Sequence, residues 1–304
     1  MQQTLEAVVE KHRPLTRLGK VATYIPELAN SNPHTLGVAV ATADGQVFRA
    51  GDHHLRFTLQ SVSKVFALML ALQDNGFDGV FSRIGMEPTG DPFNSLVRLE
   101  NFASLRPLNP LINAGAIATT ALIAGNSVDE RFQRLFSYIE AMVGPGQLSL
   151  NERVYLSERE TGDRNRAIAY FLRDIHALDG DVAEVLDLYF RQCSIEIDVV
   201  GLAILGRRLA LGPEMDPPIP EAVLRIARTF MYTCGMYDAS GEFAVKVGMP
   251  AKSGVSGAIM AVAPGRMGLG VIAPALDKKG NSLAGVQLLA DLSEIYSLAV
   301  FGQY

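Results

Sequence analysis

The chain has 304 residues, of which 48% are hydrophobic and 19% charged, and it contains 28 glycines. This length and composition are typical of one large globular domain or of two closely packed ones. The formal net charge of −5 argues against nucleic acid or an anionic membrane as the main partner.

Targeting, redox and metal signals are weak. The two cysteines, Cys193 and Cys234, are too few for a disulfide framework and lack metal-ligand spacing. The chain starts without a basic segment followed by an apolar core, and its longest apolar run, 111–125, is too short to span a bilayer. We therefore expect a soluble cytoplasmic protein without a membrane partner. The five histidines form no metal-binding pattern and no nucleotide-binding glycine motif is present, so we expect no metal and no cofactor.

The N-terminal third predicts a hairpin followed by a buried helix. The predicted elements are a helix over 4–13, an irregular segment over 19–28, strands over 36–42 and 46–50, an extended segment over 57–60 and a helix over 62–74. The Asp44-Gly45 pair between the two strands is typical of a hairpin turn. Asn75-Gly76 predicts the end of the helix.

The middle of the chain predicts helices, and the C-terminal part returns to strands. Helices are predicted over 111–124, 127–143, 151–160, 163–178, 181–192, 197–211 and 222–232. Strands are predicted over 243–247, around 252–254, over 258–263 and over 268–273, before a last helix over 283–300.

This order predicts an α/β (α+β) fold in which the N-terminal hairpin and the C-terminal strands share one antiparallel sheet. Residues 1–75 and 236–304 would form a discontinuous sheet lobe, and residues 76–235 an inserted all-helical lobe, together one catalytic unit. The helix over 62–74 would then lie between the lobes, where a cleft is expected.

Ser61 and Lys64 stand at the start of this helix, where a spacing of three residues places both on one helix face. A neutral lysine beside a serine hydroxyl can accept its proton and so activate a nucleophile without a histidine. By itself the S-x-x-K pattern is weak evidence for catalysis. The alternative interpretation is a capped helix with a surface lysine.

Lys252-Ser253-Gly254 supplies a second signal. S-x-x-K early and K-[ST]-G late is the order found in penicillin-binding and β-lactamase enzymes. Small residues at a strand edge let a substrate approach the backbone, and the positive charge of Lys252 would help keep the neighbouring amine neutral. The alternative is a strand with a surface lysine.

Longer stretches extend the match to one known family. They are Gly19–Pro26, Phe57–Phe66, Glu87–Ser95, Pro107–Ile117, Ser157-Glu158 with Asn165, Cys234–Ala244 and Pro250–Val255. On these stretches, in the same order, the chain resembles the serine-dependent glutaminase family over nearly its whole length. The resemblance implies a β-lactamase-like fold and cofactor-free hydrolysis of the side-chain amide of L-glutamine to L-glutamate and ammonia. It also implies a homo-oligomer, either a dimer or a tetramer.

The same resemblance implies the catalytic roles. Ser61 would be the nucleophile and Lys64 its general base, and the backbone N–H groups of Ser61 and Val255 would form the oxyanion hole. Tyr237 would assist proton transfer near the nucleophile.

It further implies the residues that bind the substrate. Asn113, Glu158 and Asn165 would hold the amino-acid end, with Glu158 facing the α-ammonium and amide groups facing the α-carboxylate. Asn113 lies in an apolar helix, where a buried amide needs partners. The other pocket residues are Tyr24, Gln60, Ser61, Tyr189, Tyr237 and Val255.

Several of these residues also have simpler explanations. Glu158 could be an exposed charge at a helix end, and Tyr189 and Tyr237 could be ordinary core aromatics. The whole chain could be a β-lactam- or ester-reactive serine hydrolase on the same scaffold, although the S-x-N element of β-lactamases is not evident. It could also be a non-catalytic binding protein that retains the fold.

Overall fold

A computed structural model describes residues 1–90 and 106–302. Residues 91–95 of the matched stretch Glu87–Ser95 lie outside this range. Within the described residues, no helix combines the length and the apolar character needed to cross a membrane.

The strands form two antiparallel sheets. They are β1 (Gly37–Thr42), β2 (Val47–Gly51), β3 (Phe57–Thr58), β4 (Ser149–Leu150), β5 (Ile195–Ile197), β6 (Ala251–Ser253), β7 (Ala258–Ala263) and β8 (Met267–Ile272). The larger sheet has the order β2-β1-β8-β7-β6, so strands from the two ends of the chain share it. This confirms the predicted antiparallel sheet and makes β6, with Lys252, one of its edge strands.

The smaller sheet, β3-β5-β4, ties the segment before Ser61 to the middle of the chain. Phe57 pairs with Ile197, and the N–H of Leu59 donates to the carbonyl oxygen of Ile195 at 2.8 Å. The sequence did not predict β5, since its last residue was assigned to the helix over 197–211. A short strand thus fixes the approach of the chain to Ser61.

Five of the α-helices in the described residues begin at a polar side-chain cap. The helices are α1 (Gln2–His12), α2 (Ser63–Phe81), α3 (Asn113–Ala121), α4 (Val128–Val143), α5 (Glu152–Thr161), α6 (Asp163–Asp174), α7 (Val182–Cys193), α8 (Val199–Leu211), α9 (Glu221–Cys234), α10 (Ser240–Lys246) and α11 (Leu283–Tyr296). The side chains of Ser127, Asn151, Asp181, Asp198 and Ser282 accept hydrogen bonds from the first turns of α4, α5, α7, α8 and α11. Such caps satisfy backbone donors that a helix leaves unpaired.

Helices cover both faces of the larger sheet. Along β1, Val38 and Val40 face a core shared with α1 and α11, whereas Ala39 and Ala41 face the core that contains α8. This alternation is the period of a strand buried on both faces. Helix α8 approaches the sheet closely at Gly268, where a Cβ would lie 1.9 Å from a backbone nitrogen of α8. Because α8 lies between residues 76 and 235 yet packs on the sheet, the division into lobes stays a prediction.

Helix α2 is the apolar centre of the molecule. It is buried from Ser63 to Leu72. Its regular backbone breaks at Gly76 (φ 71°, ψ 179°), which is where the sequence predicts its end, although helical structure resumes as far as Phe81. The buried face of α2 packs against α3 and α9.

One predicted strand is wrong. Residues 243–247 alternate apolar and other side chains, but they lie in and just after helix α10. Phe243 and Val247, four residues apart, are buried, whereas Val245 is 88% exposed. A strand would place all three side chains on one face, and a helix separates Val245 from the other two.

Candidate active site

Ser61 lies where a strained backbone enters α2. It is the middle residue of a one-turn 3-10 helix, Gln60–Val62, directly before α2. Gln60 has a φ of 46°, a left-handed conformation that costs a non-glycine residue about 1 kcal/mol or more and is concentrated at functional sites. Ser61 is buried, and Lys64 follows in the first turn of α2.

Lys64 is an amine buried among neutral acceptors. Its side chain is 1% exposed, and its Nζ donates to Oδ1 of Asn113 at 2.7 Å and to the carbonyl oxygen of Leu111 at 3.3 Å. Burial lowers the pKa of Lys64 to about 8, against the opposing influence of nearby Cys193 and Glu158. About a tenth of the amine is therefore neutral at pH 7. The sequence correctly predicts a lowered lysine pKa but assigns it to the charge of Lys252, whereas the main cause is desolvation.

Lys252 lies on the predicted strand, β6, and is itself fully buried. Its Nζ donates to the carbonyl oxygens of Ser253 at 2.6 Å and Gly235 at 3.1 Å, and lies 4.5 Å from the ring centre of Tyr237. Burial, reinforced by the charge of Lys64, holds the pKa of Lys252 well below its usual value. The alternative of a surface lysine on this strand is therefore wrong.

The end of β6 packs against the nucleophile segment. A Cβ at Gly254 would lie 2.7 Å from the carbonyl oxygen of Leu59, so this approach requires a glycine. The next residue, Val255, is buried. Within the described residues, the backbone N–H groups of Ser61 and Val255 donate no hydrogen bond to the protein. Two such donors beside a serine are what an oxyanion hole needs.

Tyr237 connects these two segments. It is buried, has a φ of 55°, and its hydroxyl donates to the carbonyl oxygen of Ser253 at 3.1 Å. It also forms a side-chain hydrogen bond with Ser61. Burial raises the pKa of the phenol, and the hydrogen bonds to Ser61 and Ser253 only partly offset this. Tyr237 is thus a protonated hydroxyl beside the serine.

A cavity of about 190 Å³ lies next to Lys64 and Asn113. It is lined by Tyr24, Ile25, Asn113, Glu158, Thr161, Gly162, Arg164 and Asn165. Nδ2 of Asn113 donates to Oδ1 of Asn165 at 3.0 Å, while its Oδ1 accepts from Lys64. Asn113 therefore joins the cavity to Lys64. Four of the predicted pocket residues line this cavity, namely Tyr24, Asn113, Glu158 and Asn165.

Glu158 is a buried acid that faces this cavity. It is 6% exposed, and its Oε2 has no hydrogen-bond partner within the described residues. Burial raises its pKa to about 8, which a hydrogen bond from Gln60 and the charge of Lys64 partly oppose. The alternative of an exposed charge at a helix end is therefore wrong. An unpaired buried carboxyl group is suited to a cationic ligand.

Among the other predicted residues, Tyr24 lines the cavity, whereas Gln60 and Tyr189 are not part of its lining. Tyr24 is 54% exposed and lines the cavity as well as a larger one of about 780 Å³ that also reaches Val255. Tyr189 is buried, and burial holds its pKa well above the usual value. Gln60 is buried and lies between Thr58 and Glu158.

Sequence reasoning missed Arg164, Thr161 and Gly162 as cavity residues. They lie between Glu158 and Asn165 in the chain, at the junction of α5 and α6. No spacing or composition signal distinguishes an arginine at such a corner from a solvated one.

Chemically, the arrangement suits acyl transfer. Ser61 bonds a protonated tyrosine and precedes a lysine of lowered pKa by three residues, two backbone N–H groups of the same region donate no bond to the described protein, and an unpaired acid lines the cavity. Acyl transfer requires a nucleophile, a base, an oxyanion hole and a substrate subsite, and groups of each of these chemical kinds are present here.

Comparisons with known proteins give one consistent result. The profile of the family described as Glutaminase matches residues 19–301. Glutaminase 2 of Clostridium perfringens is 50% identical over 305 residues, covering 99% of this chain and 100% of that protein. The glutaminase of Geobacillus thermodenitrificans is 52% identical over 305 residues, covering 99% of this chain and 98% of that protein.

Solved structures agree in fold. A probable glutaminase, ybaS, superimposes with a TM-score of 0.92 at 40% identity and full coverage of both chains. The Bacillus subtilis glutaminase YbgJ, in a covalent complex with 5-oxo-L-norleucine formed from 6-diazo-5-oxo-L-norleucine, superimposes with a TM-score of 0.90 at 38% identity, covering 99% of each chain.

Proposed function

The chain belongs to the glutaminase family and is a glutaminase, and we propose that it hydrolyses L-glutamine through an acyl-enzyme on Ser61. The observation that carries this mechanism is the position of Asn113, which binds Lys64 at 2.7 Å and also lines the cavity that contains Glu158. One side chain thus joins the base to the substrate cavity, and Lys64 is three residues from Ser61.

The reaction proceeds in two halves. Neutral Lys64 accepts the hydroxyl proton of Ser61 while the Oγ of Ser61 attacks the amide carbon of glutamine. The backbone N–H groups of Ser61 and Val255 bind the oxyanion that this attack forms. Such a donor contributes about 3 kcal/mol to the transition state. Tyr237 relays a proton to the amide nitrogen, the C–N bond breaks and ammonia leaves. Water then attacks the ester, which releases glutamate and returns the proton to Ser61. These groups supply nucleophile, base and oxyanion stabilisation without a cofactor.

The cavity holds the amino-acid end of the substrate. Glu158 ionises when the α-ammonium binds, because a cation next to Oε2 compensates for the burial of the carboxylate. Asn113 and Asn165 offer amide groups to the α-carboxylate. Gln60 holds Glu158, and Tyr24 and Tyr189 enclose the substrate from the rim and from the core.

Two parts of the proposal concern the whole protein. We place it in the cytoplasm, where its two free cysteines would stay reduced. We also propose a homo-oligomer, a dimer or a tetramer, which is compatible with the exposed apolar side chains of Val245 and Phe301. Light scattering after size exclusion measures the assembly directly.

The mechanism is tested by ammonia release from L-glutamine, L-asparagine and D-glutamine. We expect wild type to prefer L-glutamine, Ser61→Ala to lose this activity, and Ser63→Ala to retain a measurable rate, since the Ser63 hydroxyl is bound to the carbonyl oxygen of Gln60 at 2.7 Å. Release by Ser61→Ala at the wild-type rate would exclude Ser61 as the nucleophile. No release from L-glutamine by wild type would exclude the proposed reaction as a whole.

A further inference from the structure

A second cavity adjoins the site, and it is larger than L-glutamine requires. Its volume is about 780 Å³, against about 190 Å³ for the cavity that contains Glu158. Tyr24 lines both cavities, and Val255, the proposed oxyanion donor, lines the larger one. The amino-acid end of glutamine occupies the smaller cavity, and the ammonia that leaves from the other end is about the size of water, which takes about 30 Å³. Most of the larger cavity is therefore empty of substrate when glutamine reacts.

The wall of this cavity that contains Val255 is apolar. Ala22, Val255 and Leu276 line the cavity, and all three are buried. They belong to one buried hydrophobic cluster with Tyr237. Because Tyr237 is the proposed proton donor to the amide nitrogen, an apolar substituent on this nitrogen would lie against the same wall.

The charged side chains of the lining are solvated and carry both signs. They are exposed or half-buried, and they are Lys20, Asp238, Asp277, Lys278 and Lys279. Solvated charges of mixed sign favour no particular ionic group, since each keeps its own hydration. The buried apolar wall is therefore the part of the lining that can select a ligand.

Backbone hydrogen bonds fix the walls of the cavity. The N–H of Lys20 donates to the carbonyl oxygen of Leu276 at 3.0 Å, and the N–H of Leu276 donates to that of Lys20 at 2.9 Å. Gly19 packs so closely beside this pair that a Cβ would lie 2.6 Å from the carbonyl carbon of Ala275. The N–H of Leu283, at the start of α11, donates to the carbonyl oxygen of Ala275 at 3.1 Å. The cavity is thus built by the fold, and a ligand needs no rearrangement to enter it.

We propose that the larger cavity binds apolar substituents of the amide nitrogen, so that the enzyme also transfers the γ-glutamyl group of L-glutamine to primary alkylamines. This inference rests on the proposed function, because the transfer needs the acyl-enzyme on Ser61. The amine takes the place of the water that otherwise hydrolyses the ester.

The transfer step balances without a further reactant. The neutral amine, with its alkyl chain against Ala22 and Leu276, attacks the carbonyl carbon of the acyl-enzyme. A C–N bond forms, and the bond between this carbon and Oγ of Ser61 breaks. One N–H proton of the amine passes through Lys64 to Oγ of Ser61. The products are an N-alkylglutamine, substituted on its side-chain amide, and the free Ser61 hydroxyl.

The length of the alkyl chain tests this binding. Ethylamine, n-propylamine and n-butylamine have nearly the same basicity, so they differ in the apolar surface that they can bury and hardly at all as nucleophiles. Each amine, at one low concentration, is added to wild type and L-glutamine at pH 9. The ratio of N-alkylglutamine to glutamate is measured by liquid chromatography with mass spectrometry. This ratio should rise about fourfold for each added methylene, which is the gain expected when a methylene leaves water.

Two variants test whether this cavity causes the effect. Val21 and Leu283 are half-buried in its lining, so a tryptophan at either position would occupy its space. Val21→Trp and Leu283→Trp should keep kcat/KM for L-glutamine within twofold of wild type and lose the rise with chain length. Val47→Trp is the matched control, since Val47 is 41% exposed on β2 and is not part of this lining, and it should match wild type in both measurements.

No N-alkylglutamine in wild type, or a ratio that stays flat with chain length, would overturn the inference, because the cavity would then bind no alkyl group. A rise that persists in both tryptophan variants would also overturn it. So would an equal loss of L-glutamine hydrolysis and of transfer in both variants, since the cavity would then serve the reaction of glutamine itself. Failure of the proposed function would appear differently, as undiminished ammonia release from L-glutamine by Ser61→Ala.

Discussion

Replacing Glu158 with glutamine should separate the binding of the α-ammonium from the catalytic steps. Burial raises the pKa of Glu158 to about 8, so the free enzyme holds it mainly as a neutral acid at pH 7. Glutamine has almost the same shape and is also neutral. We therefore expect Glu158→Gln to fold with a melting temperature close to that of wild type, and to differ only when a cation must bind.

The magnitude follows from two opposing contributions. Ionising a group of pKa about 8 at pH 7 costs about 1.4 kcal/mol. Two opposite charges about 4 Å apart attract by about 4 kcal/mol at an effective dielectric constant of about 20. The net gain of about 2.6 kcal/mol in wild type is absent in Glu158→Gln, so KM for L-glutamine should rise roughly 80-fold.

The assay is ammonia release from L-glutamine and glutaramic acid between pH 6 and pH 8. Because the ionisation cost shrinks as the pH rises to the pKa of Glu158, KM of wild type for glutamine should fall about ninefold from pH 6 to pH 7 and about fivefold from pH 7 to pH 8. KM of Glu158→Gln should stay flat. With glutaramic acid, which has no ammonium, the two proteins should differ by less than threefold at pH 7.

A KM of Glu158→Gln within threefold of wild type on glutamine would refute the binding of the α-ammonium by Glu158. This binding would also be refuted by an equal loss on glutaramic acid, since the carboxyl group would then hold the cavity in shape rather than bind a cation. Lys64 titrates in the same pH range and its charge lowers the pKa of Glu158, so Glu158→Gln, which keeps Lys64, is the control for the contribution of Lys64 to KM.

Three other predictions address the catalytic groups. In wild type, kcat should rise about tenfold from pH 7 to pH 9 as Lys64, whose pKa is about 8, loses its proton, and a flat kcat profile would exclude it as the base. Tyr237→Phe removes the hydroxyl that bonds Ser61 and Ser253, so it should lower kcat 100-fold or more. Circular dichroism should show that the variant keeps its fold. A kcat within fivefold of wild type would exclude a role of Tyr237 in proton transfer. Gly254→Ala should destabilise the protein by about 1–3 kcal/mol in urea unfolding and lower kcat, because the new Cβ would lie 2.7 Å from the carbonyl oxygen of Leu59. Gly241→Ala is the control, since a Cβ there would have no atom within 4 Å. Equal stabilities of the two variants would contradict the close approach at Gly254.

The sheet could be predicted from the sequence because its signals are local. The alternation along β1 and β2 with Asp44-Gly45 between them defines a hairpin, and the apolar runs of β7 and β8 are typical of buried strands. That these strands belong to one sheet followed from their positions at the two ends of a helical middle.

Local signals also explain the errors. In residues 243–247 the alternation of apolar side chains is real, but Val245 faces solvent and only the tertiary packing of Phe243 and Val247 selects a helix. Strand β5 has three residues and exists because β3 and β4 pair with it on both sides. Neither effect is encoded in a short window of sequence.

For the site, the pair Ser61 and Lys64 became convincing only through the family resemblance. The structure adds causes that spacing does not contain: the complete burial of Lys64 and the unpaired oxygen of Glu158. Arg164 had no signal in the sequence, because its place in the cavity lining depends on how separate elements pack.

The nucleophile is identified by finding which residue bonds covalently to a glutamine analogue. Wild type, Ser61→Ala and Ser63→Ala are incubated with 6-diazo-5-oxo-L-norleucine, digested and mapped by mass spectrometry. We predict one modified peptide in wild type and in Ser63→Ala, with the label on Ser61, and no label in Ser61→Ala. A label on Ser63, Cys193 or Cys234 in wild type, with Ser61 unmodified, would contradict the central claim that Ser61 is the nucleophile.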